Sequence, residues 1–218
     1  MINLSLGLAS TIRHDGHGGV ADDLVEPAGL TAWVRDRAPH LGDWAAGFAA
    51  DEEALASVVA LRTGVRALFA YAVRPGPPSP ADAHRLLPLP AALDRVNSAA
   101  ARVLVTPRLT WVDGDDPVGR PVPAGADPRT ALLAALARAT IDFLSGPDRP
   151  NLRACTAPRC VRYFVKGHGR QEFCKPSCSN RARAARHYQR QQAAVATVPA
   201  GVATEPGGRA SRPVDRDR

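Results

Sequence analysis

All four cysteines of this 218-residue chain fall in one short stretch, as Cys155, Cys160, Cys174 and Cys178, spaced C-x4-C, thirteen residues, C-x3-C. Two close pairs joined by a short linker can bring four thiolates tetrahedrally onto one Zn²⁺, a soft d¹⁰ ion with no geometric preference of its own. Pairing into two disulfides is the competing use of the same residues. It belongs to oxidising compartments, and no basic region with a following apolar run marks the amino terminus as a secretory signal. Neither pair has the C-x-x-C spacing of a redox dithiol. Four sulfur ligands leave no open coordination position, so the expected cofactor is one structural zinc that holds the fold and does no chemistry. His168 is a spare candidate ligand and reads as a solvated turn residue.

Charge decides what surrounds the metal. From Arg149 to Gln192 eleven Lys or Arg stand against one acid, Glu172, a balance of +10; residues 1–148 balance to −4 and the residues from Ala193 to +1. Positive charge concentrated beside an exposed helix is the electrostatic footprint of a nucleic-acid binder, because releasing counterions condensed on phosphates drives such binding. Arg183, Arg186 and Arg190 recur at i, i+3, i+7 and form a stripe, flanked by Arg181 and His187. Asn180 either reaches a base edge or caps the helix start. The only two lysines, Lys166 and Lys175, also fall here. Ala182, Ala185 and Tyr188 are placed to pack back onto the module. DNA is favoured over RNA as partner. A solvated arginine face fits the same residues, as does a protein-interaction adaptor docking an acidic partner. Excess generic duplex would displace a phosphate reader and leave an adaptor bound.

The elements that must position these residues can be read locally. Pro158 supplies a tight turn inside the first pair, and Val161 to Val165 has the β-branched and aromatic content of a strand. Gly167-His168-Gly169 turns the chain, Arg170 to Phe173 returns as a second strand, and a helix runs to about Gln192 with Cys178 in its first turn. Knuckle, hairpin and helix make a treble-clef-like zinc module. About forty residues bury too little apolar surface to fold alone, and zinc supplies roughly 10–16 kcal/mol of apparent binding free energy to such modules.

Ahead of it, Ile2, Leu4, Leu6 and Leu8 alternate as in a half-buried strand. Residues 11–26 read as a glycine-containing loop, with no carboxylate or cysteine pattern to complete a metal site around His14 and His17. Helices are expected over Pro27 to Pro39 and, most strongly, Asp51 to Val73, where Asp51 caps and an apolar stripe follows. Arg62 and Arg66, at i, i+4, sit at the edge of that stripe, where they either line a cleft or, the favoured reading, form a solvated flank. Ser79-Pro80 starts a short helix, and another ends near Ala101. Residues 102–106 and 108–112 read as two strands around Pro107, pairing with the amino-terminal strand. Asp113 to Asp127 is a loop without the ligand series of a calcium site, and Asp127-Pro128 caps a helix ending at Ser145-Gly146-Pro147. The fold class is therefore α+β: a mainly helical domain with a small β-sheet (1–146), the zinc module (147–192) and a disordered tail (193–218). No phosphate loop, nucleophile elbow or histidine-rich metal pattern is present, so no enzymatic activity is expected. The expected location is cytoplasmic, away from membranes.

The run from the first cysteine pair to Cys178-Ser179-Asn180-Arg181, with Arg183, Arg186 and His187 following, resembles the CGNR zinc finger, Ser179 standing where that motif has Gly. Residues 1–146 resemble the ABATE domain through Thr11-Ile12-Arg13, Leu30-Thr31-Ala32-Trp33 and the run from Ala60-Leu61-Arg62 to Arg66-Ala67-Leu68. The resemblance implies a bacterial stress-related transcription regulator, whose front domain senses a small-molecule or protein effector.

Overall fold

The computed structural model of the chain describes residues 3–17, 19–82 and 86–196. Its organising element is helix α4 (Glu52–Ala72), the fourth in a chain order that begins with α1 (Leu4–Ala9), α2 (Pro27–Arg35) and α3 (Ala38–Leu41). Asp51 caps α4 by accepting the Ala54 N–H at 2.7 Å, and Glu52 and Glu53 complement the positive end of its dipole. Glu53 also pairs with Arg129 at the start of α6 (Pro128–Ser145). Helix α5 (Leu89–Ala101) and α6 pack on α4 and on each other, and α1 lies against both α4 and α6. Val58, Leu61, Val65, Phe69, Val96, Leu132 and Leu136 are buried where these helices meet. By length and composition α4 alone, among the described residues, passes as a membrane span. Two thirds of the relevant window is buried in the protein, which makes it a core helix.

Residues 4–9 form a helix, not the expected strand. Asn3 Oδ1 accepts from the Ser5 and Leu6 N–H groups, both at 3.1 Å, and the helix buries Ser5, Leu8 and Ala9. Leu4 and Leu8 lie on one side in either conformation, so their spacing does not separate the two; the cap does. Residues 11–26 are likewise no plain loop: β1 (Ile12–His14) pairs antiparallel with β2 (Val20–Asp22). No helix forms at Ser79-Pro80, where the described residues make a turn with Ser79 fully buried. The expected pair of strands around Pro107 is one strand, β3 (Val105–Thr110), and its partner is β4 (Val118–Pro123), from the segment read as a loop. Among the described residues, the one small sheet expected of the front domain is thus two separate two-stranded sheets, and a third two-stranded sheet lies in the zinc module.

The third sheet joins the two halves of the chain. Strand β5 (Leu152–Ala154) pairs antiparallel with β6 (Tyr163–Val165), and Leu152 and Tyr163 belong to the main core, with the Tyr163 ring edge-on to Phe69 at 5.5 Å. The last helix, α7 (Pro176–Ala196), continues past the expected end at Gln192. The tail beyond Ala196 lies outside the described residues.

Candidate metal centre and nucleic-acid interface

The first cysteine pair sits on a tight knuckle. Pro158 and Arg159 make the turn, Arg159 taking a left-handed φ of 63°, and the Cys160 N–H closes it on the Ala157 carbonyl at 3.0 Å. Cys155 extends the β5–β6 ladder by one bond, its N–H donating to the Arg162 carbonyl at 2.9 Å. Residues 170–173 do not pair with β6, as the sequence reading had it. The Gln171 side chain bridges the turn instead, accepting from the Gly167 N–H at 2.8 Å and donating to the Phe173 carbonyl at 3.1 Å. A local side-chain bond here displaces a strand ladder. Cys178 falls in the first turn of α7, its N–H bonded to the Lys175 carbonyl at 3.0 Å.

These elements place the four sulfurs within 4.8 Å of one another, three of the residues buried and Cys174 half-buried. All are free thiols. The Cys160–Cys174 and Cys174–Cys178 Sγ distances are 3.7 and 3.5 Å, far beyond a disulfide bond and close to the ~3.8 Å edge of a tetrahedron built on Zn–S bonds of ~2.3 Å. Hydrogen bonds with Cys160 and Cys174 hold the Cys155 thiol far below its ordinary range, and those of Cys174 with Cys155 and Cys160 push its own thiol up. Four thiolates held this close repel one another, and a divalent cation among them balances that charge. The donor set fits one structural zinc ion, with no position left for substrate or water.

The basic residues divide in the structure. Arg183, Arg186, His187 and Arg190 are all exposed along α7. Lys175 and the exposed His168 and Arg170 meet Arg183 and Arg186 around a groove of about 440 Å³. Asn180 neither caps the helix nor stands free: its Oδ1 accepts from Arg183 Nη2 at 3.1 Å. Arg181 departs further from the sequence reading, because its Nη2 donates to Cys178 Sγ at 3.1 Å and so faces the metal centre. Such a contact offsets thiolate charge and orients the ligand. Lys166 is tied to its own turn through the Gly169 carbonyl at 2.9 Å. Of the residues expected to pack back, Ala182 is buried and Ala185 half-buried, while Tyr188 is 61% exposed.

Two arginines read as a solvated flank prove to be buried. Arg62 forks onto Asp22 at 2.5 and 2.6 Å and donates to Thr11 Oγ1 at 2.8 Å. Arg66 forks onto Asp82 at 2.7 and 2.9 Å and donates to the Ala9 carbonyl and to the Val161 carbonyl, one residue past Cys160. Ser79 Oγ also donates to the Val161 carbonyl at 2.9 Å, and Tyr163 Oη donates to Asp82 at 2.8 Å. Burial, then the Asp82 carboxylate, push the Tyr163 phenol up and keep it a donor. The sequence signal for this network was an i, i+4 arginine pair inside the long apolar helix α4, where charge survives only with partners.

Comparison with known families matches residues 3–147 to ABATE, described as "Putative stress-induced transcription regulator", and residues 151–191 to the CGNR zinc finger. No curated protein matches the chain. The first match alone spans more than half of the sequence, and the second covers the four-cysteine centre, so the chain belongs to the ABATE family and carries a CGNR zinc finger.

Proposed function

We propose that this zinc-finger regulator binds nucleic acid, duplex DNA in preference to RNA, through the exposed basic side of α7, and that the front domain conveys the state of an effector to that helix. The observation that carries the reading is the exposure of Arg183, Arg186, His187 and Arg190 along one helical stripe, next to a groove whose only acid is Glu172. A lone helix of this kind suits the major groove. Single-stranded RNA readers use platforms of several aromatics, and Tyr188 is the only Phe, Tyr or Trp on α7. The metal centre serves this surface by fixing the first turn of the helix, and no catalytic role is assigned to it.

Titration of the zinc-loaded chain with duplex DNA and single-stranded RNA across a salt series tests the reading. The expected result is tighter binding to duplex with a steep salt slope, which Arg183→Ala with Arg186→Ala lowers by about 0.9 per lost phosphate contact. Absence of binding at low salt would overturn it, and leave the finger as a docking surface for an acidic protein.

A further inference from the structure

A cavity of about 350 Å³ lies where the β1–β2 hairpin of the front domain meets the finger. Arg13, His14 and Asp15 line it from the hairpin; Arg162, Lys175 and Arg181 line it from the finger, with Cys160 at its edge. Four basic side chains and an imidazole thus converge from separate elements. The opposing acids are already engaged. Asp15 Oδ1 accepts from the His17 and Gly19 N–H groups at 2.8 and 2.9 Å, and Asp23, outside the cavity lining, pairs with Arg13 at 2.6 Å.

Two buried side-chain atoms here have no hydrogen-bond partner among the described residues, His14 Nε2 and Arg181 Nε. Their chemistry says what is missing. His14 Nδ1 accepts from the Gly16 N–H at 2.8 Å, which places the ring proton on Nε2 and makes that atom a donor. Arg181 Nε–H is a donor in any state. Both sites therefore call for an acceptor. The thiolates of the metal centre account for another part of Arg181, since Nη2 is the atom on Cys178 Sγ, and leave Nε unanswered.

We propose that this cavity is an anion site that takes a phosphoryl group. A planar carboxylate presents two oxygens in one plane, whereas donors arriving from β1, from the segment after Cys160 and from α7 suit the tetrahedral oxygens of phosphate, for which guanidinium groups are the strongest partners. The volume is at the small end of ligand pockets, room for a phosphate with a modest appendage. A phosphoryl group held there contacts the front hairpin and the finger at once. The hairpin is in turn fixed to α4 through Asp22 and Arg62, so occupancy is felt on both sides of the junction. The proposal rests on the regulator reading for its purpose alone, and its binding step is measured without nucleic acid.

The zinc-loaded full chain is titrated calorimetrically with inorganic phosphate against chloride at matched ionic strength. The expected result is saturable binding of one phosphate per chain, weakened at least tenfold by His14→Ala and by Arg162→Ala at unchanged zinc content. His14→Gln, which keeps a side-chain N–H, retains affinity within about threefold of the parent. Binding that does not saturate, that chloride reproduces, or that survives both alanine changes overturns the proposal and leaves water as the acceptor. Duplex titrations then identify the source of the phosphoryl group. Duplex binding that phosphate displaces and both variants weaken assigns the site to backbone phosphate; duplex binding indifferent to both assigns it to a small phosphorylated molecule. A chain that binds phosphate and no duplex sustains the site while removing the nucleic-acid reading.

Discussion

Asp22 and Arg62 show how a single contact fixes a site from a distance. The guanidinium is 5% exposed and the carboxylate 33%, so the pair sits at the boundary of the core, where its attraction is only partly screened. Burial raises the Asp22 pKa, but the hydrogen bonds from Arg62 and the Leu24 N–H, with the charges of Arg62 and Arg66, outweigh it and leave the carboxyl below its ordinary 3.8. A depressed folded pKa means stability that is fully present above the unfolded value and lost as pH falls through the folded one. Asp22→Asn is therefore expected to cost about 1–3 kcal/mol near neutral pH, by leaving Arg62 without its counter-charge. The gap between parent and variant should hold from pH 7 to 5, begin to narrow as pH approaches the ordinary 3.8, and close only below the lowered pKa of the folded carboxyl. Urea unfolding of both proteins at each pH checks this. A gap that widens in acid would reverse the assigned sign.

At the scale of elements, what could be read from sequence was what local chemistry decides. Helices α4 and α6 announce themselves by Asp51 and Asp127, whose side chains accept the Ala54 and Thr130 N–H groups, and by apolar stripes that the structure buries. The cysteine spacing likewise specified the metal centre without help from the rest of the chain. Elements whose partners lie far away, or whose pattern fits two conformations, were not legible. Helix α1 has both Leu4–Leu8 spacing and strict alternation, and Asn3 alone tips the balance. Strand β3 was divided at Pro107, yet the ladder tolerates that proline because it faces Pro121: neither can donate across, and the missing N–H groups point to the open edges. Those edges are blunted against further strand pairing as a result. This hairpin adds little to the core, since β3 is exposed along its whole length. Leu109→Ala, at a side chain 69% exposed, should change stability by less than about 0.5 kcal/mol. Leu132→Ala in α6, at a fully buried one, should cost about 2–5 kcal/mol. Chemical denaturation distinguishes them, and equal losses would place the hairpin in the core.

For the whole molecule, the sequence reading divided the chain at Ser145-Gly146-Pro147 into a helical front domain and a module held by its metal. The contacts across that break lead to a different expectation. Leu152 and Tyr163 are part of the main core, and the Val161 carbonyl, next to Cys160, accepts from both Arg66 and Ser79. Arg66 is 2% exposed and bonds also to Ala9 and Asp82, so its partners on either side of the break cannot be lost separately without stranding a buried charge. The partners across the break were not visible in the sequence, because these cross-break hydrogen bonds join residues more than eighty positions apart and leave no periodicity behind. Metal removal should then reach the front domain: chelation frees the knuckle, loosens Val161 and Tyr163, and takes support from Arg66 and Asp82. Scanning calorimetry is expected to show the front-domain transition falling by at least about 4 °C on chelation, the shift that ~1–2 kcal/mol produces in a domain of this size. Tyr163→Phe, which removes the hydroxyl between Asp82 and Ser79, should shrink that response by cutting one of the links that carry it. An unmoved front-domain transition would mean that the finger is an independent unit. An effector bound in front could then reach α7 only by touching the finger directly.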